Sequence, residues 1–348
     1  MNEMKAVVAH GPADLRVDTV PVPTPGPGEV LMQVAYAGIC GSDLGYAFKG
    51  ASGTAILHDP LVLGHEISGT VVEVGDDVDP ALVGVKASAY PATVVGDDVL
   101  PEHIAKRHNL YPSVRYFGSA AMRPHTDGGM CEFKVMRADQ LRPLPAGLDL
   151  KSAALAEPLA VALHAINRTR DYLADGVAGR TVLVNGAGPI GLLVVAGAKA
   201  LGAARVVAAD MAEPALKRAR ELGADATVLV GTEKLPGDVE VVFESSGAPG
   251  ALGGVLQAVA RGGLLIQVGN LPADEVKAVL GQLVTREITW AGSFRFVDEM
   301  DQALALLADG LYVDPLMSHE FPIEEAVEAF NVAADRTTGS SKVMIKIS

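Results

Sequence analysis

The chain has 348 residues, 49% hydrophobic and 20% charged, and its 42 acidic against 28 basic side chains leave a formal charge of −14. This is globular composition, not disorder, and an acidic balance without a Lys/Arg run argues against nucleic acid or an anionic membrane as the main partner. The length predicts two domains or three, and the two cysteines, Cys40 and Cys131, exclude a disulfide framework and a four-cysteine zinc site.

In chain order, MNEMKAVVAHG has no charged region followed by an apolar one, so no signal peptide is expected, and the cytoplasm is the expected compartment. From there to about residue 150, short β-branched runs such as 29–37 and 69–74 are broken by Gly and Pro. Pro21, Pro23, Pro25 and Pro27 occupy alternate positions and fit an extended, poorly paired connection. This part reads as a mostly β domain. The uncharged stretch 181–198 is too rich in Gly to be a membrane span. Between 181 and 291, strands are predicted at 181–184, 205–209, 226–230, 240–243, 263–268 and 287–291, with helices at 189–201 and 214–222. Such alternation builds a doubly wound parallel sheet, an α/β fold. Helices at 300–309 and 323–334 and a strand at 342–347 complete the pattern.

TVLVNGAGPIG sets Gly186, Gly188 and Gly191 in G-x-G-x-x-G spacing after a predicted strand, with Pro189 and Ile190 opening the following helix. Gly186 permits the turn, Gly188 lets backbone approach a pyrophosphate, and Gly191 lets helix and sheet pack closely. The helix N-terminus offers free N–H groups to phosphates. Asp210 ends the next strand, placed to accept from the ribose hydroxyls and to repel a 2′-phosphate. The expected cofactor is therefore NAD rather than NADP.

Cys40 (in AGICGSD), His65 and Glu66 (in VLGHEISG) and Glu157 (in LAEPLA) form a thiolate, imidazole and carboxylate set that suits Zn²⁺. Spacing alone leaves other readings open: a small buried thiol, a structural histidine, a carboxylate at a helix start.

Taken in order, AGICGSD, VLGHEISGTVVEVG, LAEPLAVALHA and VNGAGPIG resemble the zinc-dependent medium-chain dehydrogenases, over essentially the whole chain. Within that family the chain is most similar to the polyol dehydrogenases, and DPLVLGHE, VRYFGSAAMRPH and AGSFRF are most like the branch that acts on L-idonate. The resemblance implies a GroES-like β-rich catalytic domain at 1–155, a Rossmann domain at 156–293 and a return to the catalytic domain at 294–348, with the active site between the two domains. It implies catalytic zinc on Cys40, His65 and Glu66, with Glu157 at the metal directly or through water. Ser42 matches the hydroxyl that contacts the reacting oxygen, and Asp43 a carboxylate that orients His65. Tyr46, Phe117 and Arg295 match positions lining the substrate pocket, where Arg295 suits a carboxylate or else pairs with a nearby acid. Homo-oligomers, dimers or tetramers, are joined in the family through the edge strand of the nucleotide domain, here 287–291.

Three departures stand out. The positions of a structural-zinc lobe carry Asp97, Leu100, His103 and Tyr111, so one zinc per chain is expected. Gly45 stands where the family usually places a histidine that ends a proton relay, and SAAMRPHTDGG is shifted relative to the idonate-type pattern. Cys131 and His125 match no functional position and read as structural. The expected activity is oxidation of a secondary alcohol of a polyol or sugar acid with NAD, L-idonate first. A sorbitol/xylitol-type or vicinal-diol dehydrogenase, a metal-free NADPH reductase and a non-catalytic NAD(H)-binding protein are the alternatives.

Overall fold

The structure, a computed structural model, describes residues 3–272 and 275–348. The chain forms two compact units, Met1–Glu157 together with Met317–Ser348, and Pro158–Leu316. In chain order the first unit supplies β1 (Glu3–Gly11), β2 (Asp14–Pro21), β3 (Glu29–Gly38), α1 (Gly41–Lys49), β4 (Glu66–Val74), β5 (Lys86–Ala89), β6 (Phe133–Arg137) and β7 (Leu141–Pro143). Next comes α2 (Ala156–Asn167). The second unit continues with β8 (Thr181–Asn185), α3 (Pro189–Ala200), β9 (Arg205–Asp210), α4 (Glu213–Glu221), β10 (Ala226–Leu229), β11 (Val239–Glu244), α5 (Leu252–Ala258), β12 (Val259–Gln267), β13 (Thr289–Gly292) and α6 (Glu299–Ala308). The chain then returns to the first unit with β14 (Met317–Pro322), α7 (Ala326–Ala334) and β15 (Lys342–Lys346).

β3 organises the first unit. β4, β15 and β6 all pair with it antiparallel, and most of its apolar run is buried. Val30, Met32, Val34, Ile67, Val343 and Phe330 join in one core, so the last strand of the chain is packed into the first domain. The alternating prolines leave β2 at Pro21 and run without regular structure to β3, since proline has no N–H for a ladder. This is the β-rich, GroES-like half.

The second unit is a six-stranded sheet in the order β10-β9-β8-β11-β12-β13, every pair parallel. Strands covered by helices on both faces need near-continuous apolar runs, and Val182–Val184 and Val241–Phe243 are fully buried. The uncharged stretch at 181–198 is thereby explained: it becomes a central strand, a glycine turn and a buried helix. Among the described residues no helix is long and apolar enough to cross a membrane. Strand order reverses about β8 and β11, which makes their carboxyl ends the switch point where a doubly wound sheet receives ligands. This is the Rossmann half.

The return to the first unit starts at Met317, not at 294. Residues up to Leu316 stay with the second unit because α6 is tied to α2. His164 Nδ1 lies 2.8 Å from Glu299 Oε1, and Asn167 Nδ2 donates to Gln302 Oε1 at 2.9 Å. The helix expected over 323–334 opens as a single 3₁₀ turn, Ile323–Glu325, before α7.

Burial raises the Glu299 carboxyl, but the hydrogen bond and charge of His164 outweigh it and hold Glu299 below its ordinary 4.5. A depressed carboxyl contributes stability above the ordinary value and loses it as pH falls through the lowered one. We expect Glu299→Gln to melt earlier than the parent protein near pH 6, with the two melting temperatures converging as pH is lowered towards about 3.

Candidate functional site

The strand register brings the metal-ligand candidates together. Gly38 at the end of β3 pairs with Glu66 at the start of β4, so Cys40, just past β3, meets His65 and Glu66 at the head of β4. A sulfur, an imidazole nitrogen and a carboxylate oxygen from these three lie within 4.8 Å of one another, and among the described residues they are the one such group. Cys40 stands at the N-cap of α1, where free N–H groups favour an anion.

Asp43 is fully buried beneath them, and burial raises its carboxyl. Its Oδ2 accepts from Cys40 N at 2.9 Å and its Oδ1 from Gly64 N at 3.2 Å. The distance from Oδ1 to His65 Nδ1 is 3.9 Å, too long for a hydrogen bond. Asp43 therefore hydrogen-bonds the backbones of both ligand loops and faces the imidazole at ion-pair distance. His65 Nδ1 is buried with no hydrogen-bond partner, and the ring meets Tyr116 edge-on at 5.5 Å. Burial by itself lowers His65, but the charges of Cys40, Asp43 and Glu157 hold it well above its ordinary value. An orphaned buried nitrogen, a thiol and several acids crowded together call for positive charge, and this donor set fits Zn²⁺.

Glu66 carries a counter-charge that sequence reading did not find. Lys342 Nζ, first residue of β15, donates to both Glu66 oxygens at 2.7 Å and to Ile39 O at 3.1 Å, with both side chains buried. Burial lowers the Lys342 ammonium, and Glu66 more than reverses this. Gly38 makes the slot: a Cβ there would sit 2.1 Å from Glu66 Oε2. No local pattern marks Lys342; it is 276 residues from Glu66 and its partner is chosen by strand pairing.

Glu157, at the start of α2, is buried beside this group but not within it. Its Oε1 accepts from Tyr116 Oη at 2.5 Å, and burial raises its carboxyl. Tyr116 was a second missed residue. Ser42 is half-buried on the first turn of α1. Tyr46 and Phe117 are both buried in the first unit's core. Tyr46 Oη accepts from Ala120 N at 3.1 Å, and Lys134 Nζ sits 4.6 Å over the Phe117 ring. Arg295 belongs to the second unit, with a left-handed φ of 51° and its guanidinium 4.9 Å from the Phe294 ring centre. At Gly45 a Cβ would meet Ala51 O at 2.6 Å, so the histidine of the usual relay has no room. Cys131 lies in a small buried apolar cluster of the first unit with Met4, Ala6 and Val8. Burial pushes the Cys131 thiol up to about 12, and His125 Nε2 accepts from His58 N at 3.0 Å.

In the second unit the glycine turn follows β8. Gly186 has φ 94°, and Gly191 has no room for a Cβ, which would lie 1.8 Å from Gly186 O. The Cβ position of Gly188 is open, with nothing within 4 Å. α3 starts at Pro189 and Ile190 without a side-chain cap, leaving first-turn N–H groups for an anion. Asp210 Oδ2 accepts from Ala187 N at 2.7 Å and Oδ1 from Ala212 N at 2.9 Å. Each oxygen keeps a lone pair for a ribose hydroxyl. The turn fits a dinucleotide.

Removing one partner of a buried ion pair strands the other charge, at a cost of about 3–5 kcal/mol. Lys342→Met should lose that much in urea unfolding, and adding Glu66→Gln to it should recover part of the loss. A double variant that loses the sum of what Lys342→Met and Glu66→Gln lose singly would show that the pair is not coupled.

Comparison with known proteins agrees with this arrangement. Residues 26–146 match the alcohol dehydrogenase GroES-like domain, and 189–309 match the zinc-binding dehydrogenase family. The sorbitol dehydrogenase of Bos taurus is 36% identical over 358 aligned positions, covering 99% of this chain and 96% of that one. L-idonate 5-dehydrogenase from Escherichia coli superposes with a TM-score of 0.89 at 33% identity, covering 99% of this chain and 98% of the other. A zinc-binding dehydrogenase from Sinorhizobium meliloti, solved with NADP bound, gives 0.87 at 30%, covering 99% and 100%. The chain belongs to the zinc-dependent medium-chain dehydrogenases, in their polyol dehydrogenase branch, and is an oxidoreductase.

Proposed function

We propose that this protein oxidises a secondary alcohol of a sugar acid or polyol with NAD, and that L-idonate is its first-choice substrate. The observation that carries the reaction class is the convergence of Cys40, His65 and Glu66 within 4.8 Å, with Glu157 beside them. One zinc per chain would be held by Cys40, His65 and Glu66, with Glu157 at the metal directly or through water, since Asp97, Leu100, His103 and Tyr111 offer no thiolate cage for a second. Bound there, zinc supplies Lewis acidity to the alcohol oxygen, and NAD is the hydride acceptor.

The chain's own residues do the rest. Asp43 holds the two ligand loops in register. Tyr116 fixes Glu157 in one orientation, and Ser42 takes a hydrogen bond from the reacting hydroxyl. With Gly45 excluding the usual relay histidine, the proton leaves through Glu157 and water. Asp210 accepts from the ribose hydroxyls and selects against a 2′-phosphate. Arg295 is the candidate partner of a substrate carboxylate in a bidentate contact, and Tyr46 and Phe117 are the substrate-binding candidates of the first unit. The protein works in the cytoplasm as a dimer or tetramer joined along β13, the edge strand of the six-stranded sheet.

The likeness to an L-idonate 5-dehydrogenase over 99% of the chain supports the acid substrate. The sorbitol dehydrogenases among its relatives favour a second reading, a neutral polyol such as sorbitol or xylitol.

NADH formation, followed at roughly 340 nm, the band of the reduced nicotinamide, tests both readings. Turnover of L-idonate should vanish on dialysis against chelator and return with zinc. Cys40→Ala should lose at least about 100-fold in kcat together with its zinc. Turnover confined to neutral polyols moves the substrate but keeps the chemistry. NAD binding without turnover on any alcohol leaves the non-catalytic alternative standing.

For an acid substrate, Arg295→Ala should raise KM by about 10–100-fold, with little change for a neutral polyol. Asp210→Ala should narrow the preference for NAD over NADP about tenfold.

A further inference from the structure

Glu244 ends β11, next to β8, at the switch point of the second unit's sheet. It is fully buried. Its Oε1 accepts from Asn185 Nδ2 at 3.2 Å, from Ser246 N at 2.9 Å and from Ser246 Oγ. Its Oε2 accepts from Gln267 Nε2 at 2.6 Å and from Gly247 N at 3.1 Å. Five donors from the carboxyl ends of three adjacent strands thus converge on it, and none is a cation. The contrast within the chain is plain: buried Glu66 has Lys342, and Glu299 has His164. Among the described residues no Lys, Arg or His is paired with Glu244.

The surroundings show what this group holds. A Cβ on Gly186, the first glycine of the dinucleotide turn, would lie 2.6 Å from Ser246 N. On the other side a Cβ on Gly269 would lie 2.2 Å from Gly247 N, and Val268 N and Gly269 N both donate to Glu244 O at 2.8 Å. The turns after β8, β11 and β12 are stacked against one another, with the Glu244 carboxylate beneath them. These are the turns over which a doubly wound sheet lays its dinucleotide.

We infer that Glu244 is a positioning and selectivity residue for the cofactor: it ties the three turns together, and its negative charge, balanced only by dipoles, favours the oxidised nicotinamide over the reduced one. The inference rests on the dinucleotide reading above. The nicotinamide ring is a cation when oxidised and neutral once reduced, while adenosine, riboses and pyrophosphate are common to both forms. A fixed buried charge therefore changes the ratio of the two affinities, and everything shared cancels. Two unit charges about 10 Å apart at an effective dielectric of about 20 shift that ratio on the order of tenfold.

The test is the ratio of the dissociation constants of NAD⁺ and NADH, measured by calorimetric titration of the zinc-loaded protein without alcohol. Glu244→Gln should raise Kd for NAD⁺ relative to NADH about tenfold, whereas Glu244→Asp, which keeps the charge, should stay near the parent ratio. Gln267→Lys brings an ammonium against the same carboxylate, retains a donor there, and should move the ratio in the same direction as Glu244→Gln. A ratio within about twofold of the parent protein in Glu244→Gln overturns the proposal, even if both affinities fall, because the residue would then be structural only. If Glu244→Gln does not fold, Gln267→Lys decides by the same criterion. A parent protein that binds neither form overturns the cofactor reading itself, a different result from an unchanged ratio.

Discussion

A carboxylate cannot stay charged inside a protein unless something answers it, and the first unit is arranged around one such answer. Glu66 is buried at the head of β4, and its counter-ion, Lys342, arrives from the last strand of the chain. That strand reaches Glu66 because β15 pairs with β3, which also pairs with β4. The same three-strand ladder sets Cys40 beside His65, and Gly38 leaves the slot into which the Glu66 carboxylate fits. Chain closure and ligand placement are therefore one event. Without β15, the acid would be buried unpaired next to an already acidic cluster.

Three further buried acids are handled in other ways. Asp43 accepts from the backbone of the two ligand loops and lies 3.9 Å from the imidazole of His65. Glu157 is held by a single phenol, Tyr116. A neutral donor fixes the direction of this carboxyl group. Glu244 accepts from dipoles, and among the described residues no cation is paired with it.

The relay position shows how a local substitution reaches the chemistry. Gly45 is more than a histidine lost: the backbone carbonyl of Ala51 occupies the space a Cβ would need. Restoring the side chain would require moving the chain after α1.

Much of this was legible in the residues. The glycine turn at 186–191 with Asp210, and the strand–helix alternation around it, follow from short-range rules: steric freedom at glycine, helix N-termini, and apolar runs that fit a doubly covered sheet. Cys40, His65, Glu66 and Glu157 were named from their motifs. The backbone hydrogen bonds of Asp43 and its 3.9 Å distance to the imidazole could not be read from the sequence. The boundary expected at 294 moved to 317 because His164 and Glu299, 135 residues apart, bind α6 to α2. Lys342 and Glu244 gave no local signal, since their partners lie on other strands and meet them only through strand register. What the sequence determined by itself was the set of elements and the chemistry each motif can offer, because both depend on neighbours a few residues away. Which charges are paired, which glycines are slots and which acids stay uncompensated was decided by the tertiary structure, because burial and counter-charge come from residues that are distant in the chain.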